Sequence, residues 1–464
     1  MRSDSLGNPV SAADAAALAA VDDFVEGFLA YEERAANVLG AAETFPDNAL
    51  INAYAGLVWM FLEAPEASAR AAKYLQRAEA AAAGATRREQ LIVQALAAWT
   101  RDDVPLAIQL CDDIAAAFPR DLAMVKLNQY LNFNLGRFPE MLRAGEAVFE
   151  ANRDVAYMHG MMAFAYEQCH LLEEAEAAAR EAIRRKRKEP WAQHALAHVL
   201  ITTGRIDEGA AFLEGVKDSW MGLNSFMYTH LWWHLALFYL SQGRSQAVLE
   251  IYDAHVWGIA KTYSQDQIGA VSLLARLELA GIDVGERWRD LGEHLAARGP
   301  DTAQPFLTIQ YLYGLARARR PEADALMAAV RERARTAPDF ADRAWREVAM
   351  PVGEGLLAYA RGDYAAAEAR LTPALAQLSI IGGSHAQRDL FEQVRLDAIL
   401  RNGGWSMAQQ LLELRRASDR DGVPVNRALA RVYTELDLPK EAAKAEARAQ
   451  RTLAAHAAKG GVSA

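Results

Sequence analysis

The sequence predicts an all-α protein, an α-solenoid of stacked helix–turn–helix hairpins. Through most of its 464 residues, apolar side chains recur at i, i+3, i+4 and i+7, which is the spacing of one helical face. Alanine is abundant, and the fifteen prolines fall mostly between the apolar-periodic segments. A short turn motif also repeats at a fixed interval. These features favour helices and argue against a β-sandwich or barrel.

The turn motif recurs at a shift of 34 residues. Its four copies are Asp102-Asp103-Val104-Pro105, Gly136-Arg137-Phe138-Pro139, His170-Leu171-Leu172-Glu173 and Gly204-Arg205-Ile206-Asp207. In each copy the third residue is apolar and the fourth is proline or acidic, which suits the first turn of a helix. The motif therefore predicts a helix, a tight turn and a second helix. A 34-residue period of this kind is that of the tetratricopeptide repeat.

Looser copies of the pattern continue toward the C-terminus. They include Gly243-Arg244, the stretch 361–367, Gly403-Gly404-Trp405 and the stretch 438–442, with helix pairs at 266–297, 303–336 and 341–377. Each amphipathic pair must stack on its neighbours to bury its apolar stripe. We therefore expect about 11–12 hairpins in one right-handed solenoid over 11–455. Residues 1–10 would form an N-terminal extension, and 456–464 a frayed tail.

Composition limits the classes of partner. The chain is 52% hydrophobic and 24% charged, which excludes a disordered chain, and its net charge of −10 argues against nucleic acid as a partner. No secretory signal begins the sequence and no run of eighteen apolar residues occurs, so no membrane association is expected. Only Cys111 and Cys169 are present, which suits a reducing compartment. The predicted localisation is cytoplasmic.

Histidine and tryptophan are concentrated in one short window. Five of the ten histidines lie within 194–255, and five of the ten tryptophans within 191–257. His194 and His198 are four residues apart, and His230 and His234 repeat that spacing 36 residues later. Residues at i and i+4 share a helical face, and equivalent helices of neighbouring hairpins lie side by side. We therefore expect the four imidazoles to converge on the concave surface, with Trp232 or Trp233 as a wall.

Three interpretations of the histidines remain open. Paired histidines at i, i+4 are a standard way to present two metal ligands, so a divalent metal is allowed, although the sequence does not require one. Position 195 is alanine, which excludes the glutamate base of an HExxH metalloprotease. Alternatively, the imidazoles could bind a ligand or act as acids and bases without metal. They could also be packing residues that are hydrogen-bonded between helices.

A second distinctive segment covers residues 382–389. Gly382 and Gly383 can adopt positive φ and end one helix, and Ser384 is a good N-cap for the next. One interpretation is a helix start that is joined to its neighbour by an Arg–Asp pair. The other is an anion site of backbone N–H groups and side chains. Curling of the repeats could place this segment opposite the histidines, and its candidate ligand-binding residues are Ser384, Gln387, Arg388 and Asp389.

Several of these strings resemble one family. They are His194-Ala195-Leu196-Ala197-His198, Gly204-Arg205-Ile206-Asp207-Glu208-Gly209, Trp220, His230-Leu231-Trp232-Trp233-His234-Leu235-Ala236-Leu237, Tyr252-Asp253 and Ile381-Gly382-Gly383-Ser384-His385-Ala386-Gln387-Arg388-Asp389. They resemble the tetratricopeptide repeat protein 38 family, most strongly over 190–255 and 380–395. The resemblance implies a divergent tetratricopeptide-repeat fold, and it brings no biochemical activity with it.

Two functions follow as expectations. The first is an enclosed, histidine- and tryptophan-lined pocket on the concave face that binds, and could transform, a small anionic molecule. The alternative is a scaffold that binds a peptide or partner protein in the groove. Clustered histidine and tryptophan favour the pocket, because peptide grooves spread their polar anchors over several repeats. Whether the chain is an enzyme is left open. Exposed terminal repeats would suit a homodimer.

Overall fold

The structure, a computed structural model, describes residues 2–12 and 14–457. These residues form an all-α fold of tandem helical hairpins, as predicted. The chain divides into two compact units: unit 1 comprises 1–196 and 219–227, and unit 2 comprises 197–218 and 228–464. The predicted single solenoid over 11–455 and its hand stay predictions. Most of the predicted tail, 456–464, lies outside the described residues.

Unit 1 begins with a small hairpin and continues as paired helices. The antiparallel strands are β1 (Arg2–Ser3) and β2 (Pro9–Val10). The helices are α1 (Ala15–Leu29), α2 (Val38–Thr44), α3 (Ala49–Met60), α4 (Ala67–Ala81), α5 (Arg87–Thr100), α6 (Val104–Ala117), α7 (Leu122–Asn134), α8 (Phe138–Phe149), α9 (Ala156–Gln168) and α10 (Leu172–Arg185). Short 3-10 turns lie at Glu33–Asn37, Ala82–Gly84 and Glu150–Asn152. Two further helices, α11 (Pro190–Thr202) and α13 (Ser225–Ser241), contribute residues to both units.

Unit 2 continues the alternation. Its helices are α12 (Ile206–Val216), α14 (Ser245–Ile251), α15 (Ser264–Leu279), α16 (Arg287–Ala297), α17 (Pro305–Arg317), α18 (Glu322–Thr336), α19 (Asp339–Arg343), α20 (Met350–Ala360), α21 (Tyr364–Leu375), α22 (His385–Arg401), α23 (Trp405–Arg416), α24 (Val423–Glu435) and α25 (Pro439–His456). Two π-helical turns lie at Tyr252–Val256 and Ala344–Ala349, and 3-10 turns lie at Lys217–Trp220 and Leu378–Ile381. The helix pairs predicted at 266–297, 303–336 and 341–377 are present.

The 34-residue turn motif has one backbone conformation in all four copies. Asp102, Gly136, His170 and Gly204 have φ values of 60°, 65°, 61° and 74°. The N–H of the following residue donates to the carbonyl five residues earlier in every copy, at 2.8–2.9 Å. This bond terminates the first helix in a left-handed C-cap, which glycine adopts without strain and other residues adopt at a small cost. Each copy of the 34-residue motif is therefore a helix C-cap at which the chain reverses direction.

First and second helices of the hairpins differ in burial. The first helices are buried almost all round; α9, for example, buries eleven of its thirteen residues. The second helices bury a single stripe, as α10 does with Ala175, Ala179 and Ala182. A helix buried on every side lies inside a packed layer, whereas a one-stripe helix faces solvent. The first helices α11 and α13 are therefore where a buried polar cluster can be built.

A buried glutamate precedes α11. Glu189 is 1% exposed, and its carboxylate accepts the N–H of Ala192 in the first helical turn. Burial raises the pKa of Glu189 to about 7, although the Ala192 hydrogen bond and the Lys126 ammonium act in the opposite direction. A carboxyl whose pKa is higher in the folded than in the unfolded chain binds its proton more tightly when folded. Its ionisation therefore opposes folding.

We expect Glu189→Gln to remove one pH dependence of stability. The contribution of Glu189 is fully present below its unfolded pKa of about 4.5 and is lost as the pH rises through about 7. Relative to the parent chain, the variant should gain about 3 kcal/mol in free energy of unfolding between pH 4.5 and pH 8. Urea unfolding across this range measures the difference. A difference that does not change with pH would contradict the assignment.

The helices of the structure can be examined for segments that could span a membrane. Among the described residues, no helix combines the length and the apolar character needed to cross a bilayer. The cytoplasmic localisation stays a prediction.

Candidate functional site

The two histidine pairs come together on α11 and α13. His194 and His198 lie one turn apart on α11, and His230 and His234 lie one turn apart on α13. All four are buried, and each offers a ring nitrogen that lies within 4.8 Å of those of the other three. This is the convergence that the 36-residue offset predicts for equivalent first helices. Its role as a functional site stays a prediction.

The imidazole of His234 contacts two of the other three. The ring centroids of His198 and His234 are 4.5 Å apart, and those of His230 and His234 are 4.8 Å apart with nearly perpendicular planes. His194 has different neighbours, because it stacks on Trp191 at 4.5 Å and also contacts Phe164 at 5.1 Å. The cluster thus consists of a trio centred on His234 and a fourth imidazole that packs against aromatic rings.

The two adjacent tryptophans of α13 have different surroundings. Trp233 stacks on His230 at 5.2 Å with an interplanar angle of 8° and meets the edge of His234 at 4.9 Å. Trp232 instead stacks on His255 at 3.8 Å, and the Nδ1 of His255 lies 2.8 Å from the Tyr228 hydroxyl. Adjacent residues of a helix point about 100° apart, so only one of them can line a given face. Trp233 is the wall of the histidine cluster.

Burial keeps one imidazole of the cluster, that of His230, neutral at pH 7. The pKa of His230 is lowered to about 3, chiefly because its ring is removed from water and secondarily because His198 is nearby. A charged imidazole loses its hydration in the core, and a second imidazolium would repel it. At neutral pH His230 is therefore in the uncharged form, which is the form that metal coordination requires.

Helix α15 brings a buried cation to the same region. Arg276 is 2% exposed, and its guanidinium carbon lies 5.3 Å from the ring centroid of Trp233. Its Nη2 donates to the carbonyl of Ala386 at 2.6 Å, and its Nη1 donates to the carbonyl and hydroxyl oxygens of Ser272. Arg276 thereby connects the tryptophan wall with the start of α22.

The segment 382–389 forms a capped helix start. Gly382 and Gly383 have φ values of 79° and 78°. Ser384 and Gln387 form a reciprocal capping box, with the Gln387 N–H donating to Ser384 Oγ at 3.3 Å and the Ser384 N–H donating to Gln387 Oε1 at 3.0 Å. These two polar side chains are engaged in the cap, in agreement with the helix-start interpretation. A ligand-binding role for them stays a prediction.

The basic and acidic residues of this segment bond to different partners. Arg388 donates to the carbonyl of Gly383. Asp389 accepts a bidentate pair from Arg415, at 2.6 and 3.0 Å, and a hydrogen bond from Gln393 at 2.6 Å. These contacts hold the pKa of Asp389 well below its usual range despite burial. An Arg–Asp pair, Arg415 with Asp389, therefore joins the start of α22 to the neighbouring helix α23.

Sequence reasoning missed Arg276 and Arg415. Arg276 is the only charged residue in the run Val271-Ser272-Leu273-Leu274-Ala275-Arg276-Leu277, inside the first helix of a hairpin. A single charge in an otherwise apolar buried run is an available signal, because such residues are rarely buried without a partner. Arg415 has no comparable signal, since it lies at the end of a polar second helix.

Comparison with solved structures finds chains that align with this one at low identity. No family model matches the chain. The human IFIT1 dimer with m7Gppp-AAAA aligns over 92% of this chain and 94% of its own, at 13% identity and a TM-score of 0.42. The human IFIT1 dimer with PPP-AAAA aligns over 93% and 95%, at 14% identity and a TM-score of 0.42. The Naa15/Naa10 structure bound to HypK-THB aligns over 93% of this chain and 68% of its own, at 12% identity and a TM-score of 0.25.

These structures correct one expectation. The exclusion of nucleic acid as a partner is wrong, because both IFIT1 dimers hold oligonucleotides. The physical reason is that a net charge is a property of the whole chain and does not fix the local potential at a site. Even here, with a net charge of −10, five consecutive basic residues occupy 184–188. At such low identity the likeness brings no ligand to this chain, and the homodimer stays a prediction.

Proposed function

We propose that the protein is a metal-dependent binding protein, in which His198, His230 and His234 of unit 2 form a site for one divalent transition-metal ion. The observation that carries the proposal is that, within the buried set of four histidines, these three each offer a ring nitrogen within 4.8 Å of the others. Imidazole suits zinc, copper, nickel, cobalt and iron, whereas magnesium and calcium require oxygen ligands. The absence of carboxylates from this set of four therefore selects the transition-metal class.

The separations between the imidazole nitrogens are compatible with coordination of a zinc-sized ion. Nitrogens bound tetrahedrally at 2.0–2.1 Å from zinc lie roughly 3.4 Å apart. The widest separation in the cluster would close by roughly 1.4 Å, which small side-chain rotations can supply. Because burial holds His230 neutral, no proton must be displaced from it before it binds.

The ring contacts suggest which histidines are ligands. The His234 ring contacts those of both His198 and His230, and three protein ligands leave a coordination position open, as in catalytic zinc sites. His194 stacks on Trp191 and belongs to unit 1, whereas the other three histidines belong to unit 2. A small molecule bound to the metal would then lie beside the Trp233 wall. Whether that molecule is also transformed depends on its chemistry.

The sequence resemblance supports the same location. The likeness to the tetratricopeptide repeat protein 38 family is strongest over 190–255 and 380–395. The first stretch contains all four histidines, and the second contains the carbonyl that accepts from Arg276. The alternative function, a scaffold for a peptide or partner protein, rests on the helical-repeat fold.

Metal loading tests the proposal. Protein treated with a chelator and then dialysed against Zn²⁺ should retain one zinc per chain, measured by mass spectrometry of the element. Co²⁺ should bind at the same site, and its visible absorption reports the coordination number. A wild-type chain that retains no more zinc than the His198→Gln variant would overturn the proposal.

Single substitutions distinguish the three proposed ligands from the fourth histidine, His194. We expect His198→Gln to weaken zinc binding by at least about a hundredfold, because a ligand is lost. His194→Gln should weaken zinc binding by less than about tenfold, because His194 is not one of the three proposed ligands. Competition with a chelating dye measures both affinities. Equal losses would instead indicate a closed, four-histidine structural site.

A further inference from the structure

Helix α15 carries a cation that lacks a carboxylate of its own. Arg276 donates to the Ser272 carbonyl, the Ser272 hydroxyl and the Ala386 carbonyl, which are all neutral. A guanidinium has five N–H groups, so at least two have no acceptor among the described residues. Burial of a guanidinium is costly unless a counter-charge balances it.

The carboxylate that attracts Arg276, that of Asp389, already forms an ion pair with another arginine. Asp389 attracts the Arg276 guanidinium, but Asp389 is bound bidentately by Arg415. Asp389 therefore interacts with two guanidinium groups but forms its ion pair with Arg415, so the buried Arg276 has no carboxylate among its hydrogen-bond acceptors. The pKa of Arg276 is lowered to about 10 by burial, and the attraction of Asp389 does not compensate. Arg276 is still protonated at neutral pH.

A second unused donor lies next to this charge. Trp233 is 1% exposed, and its indole Nε1–H has no hydrogen-bond partner among the described residues. A buried donor without an acceptor costs about 1–3 kcal/mol, so such groups in a folded protein often face a ligand. The Trp233 ring stacks on His230, and the Arg276 guanidinium lies over the same ring. Both unused donors thus adjoin the histidine cluster.

Two distances from the Trp233 ring limit the size of a ligand that could contact both the histidine cluster and Arg276. The Trp233 centroid is 5.2 Å from the His230 centroid and 5.3 Å from the Arg276 guanidinium carbon. The guanidinium carbon is therefore at most 10.5 Å from the His230 ring centroid, whatever the angle between the two directions. One small molecule can span this distance.

We propose that the small molecule bound at the histidine cluster carries an oxyanion, a carboxylate or a phosphate, which is recognised by Arg276 and the Trp233 indole N–H. This inference rests on the proposed metal site and names the chemical class of its ligand. An oxyanion accepts from a guanidinium and an indole N–H at once, and it supplies a counter-charge to the buried Arg276. Arg276 is thus the specificity residue of the site.

Titration of the zinc-loaded protein with simple oxyanions tests the proposal. The probes are inorganic phosphate and succinate, which separate a phosphate site from a carboxylate site, and calorimetry measures their affinities. We expect at least one probe to bind the wild type, and we expect Arg276→Gln to weaken it at least tenfold. Failure of both probes to bind, or equal affinity in the variant, would overturn the proposal.

Two further variants make the result specific. Arg244→Gln is the matched control, because Arg244 is also buried over an aromatic ring, Tyr239, but is paired with Glu214. Its affinity for the probes should equal that of the wild type. If Arg276→Gln does not fold, Arg276→Lys replaces it; it keeps the charge, loses the planar fork and should still weaken the probe severalfold. Zinc content, measured on every sample, reports separately on the metal site.

Discussion

Replacing His198 and His234 together by glutamine is expected to abolish metal binding without unfolding the protein. These two imidazoles are in ring contact, one on each helix, so the double variant removes a ligand from both α11 and α13. We expect zinc affinity to fall by at least about a thousandfold, equivalent to about 4 kcal/mol. In chelator, the melting temperature should stay close to that of the metal-free wild type, because glutamine is polar and of similar length.

Zinc should change the melting temperature of the wild type but not that of the double variant. A ligand that binds only the folded state stabilises by about 4 kcal/mol at a thousand times its dissociation constant, so zinc should raise the melting temperature of the wild type and leave that of the double variant unchanged. His159→Gln is the matched control: His159 is buried, but it lies outside the cluster and bonds to the Arg153 carbonyl at 2.9 Å. It should respond to zinc as the wild type does. A double variant that loses several degrees in chelator would instead identify the histidines as packing residues.

The repeat could be predicted from the sequence because its physical basis is local. The turn positions 102, 136, 170 and 204 share a left-handed cap, and the apolar periodicity around them marks the helices. Asp102 and His170 show the limit of this reasoning, since a search for glycine alone would have missed two of the four caps. The split into two units could not be foreseen, because it depends on packing between residues far apart in sequence.

The histidine cluster could be predicted for a related reason. Spacings of 4 and 36 residues translate directly into one helical face and the equivalent face of the next first helix. The partners of the segment 382–389 could not be predicted in this way. Arg276 lies 110 residues before Ala386, and Arg415 lies 26 residues after Asp389. Such pairings depend on side-chain reach within the packed fold, for which the sequence pattern has no period.

Replacing Gly383 by alanine is expected to destabilise unit 2 by about 3 kcal/mol. Gly383 has φ of +78°, which costs an L-residue about 1 kcal/mol, and an added Cβ would lie within 2.6 Å of Phe306 Cζ, an overlap that costs about 1–3 kcal/mol. Gly362→Ala is the matched control, because Gly362 has a similar φ of +83° but no atom within 4 Å of the added Cβ. It should lose only about 1 kcal/mol.

The overlap at Gly383 also bears on the proposed oxyanion site. Phe306 packs between the loop and Phe391 of α22, so an added methyl group must displace either the ring or the start of the helix. Displacement of the helix start would move the Ala386 carbonyl, which accepts from Arg276 at 2.6 Å. We therefore expect Gly383→Ala to weaken phosphate or succinate binding as well as stability, and Gly362→Ala to leave binding unchanged. Calorimetric unfolding and anion titration of both variants measure this, and equal behaviour of the two would show that φ strain alone is responsible.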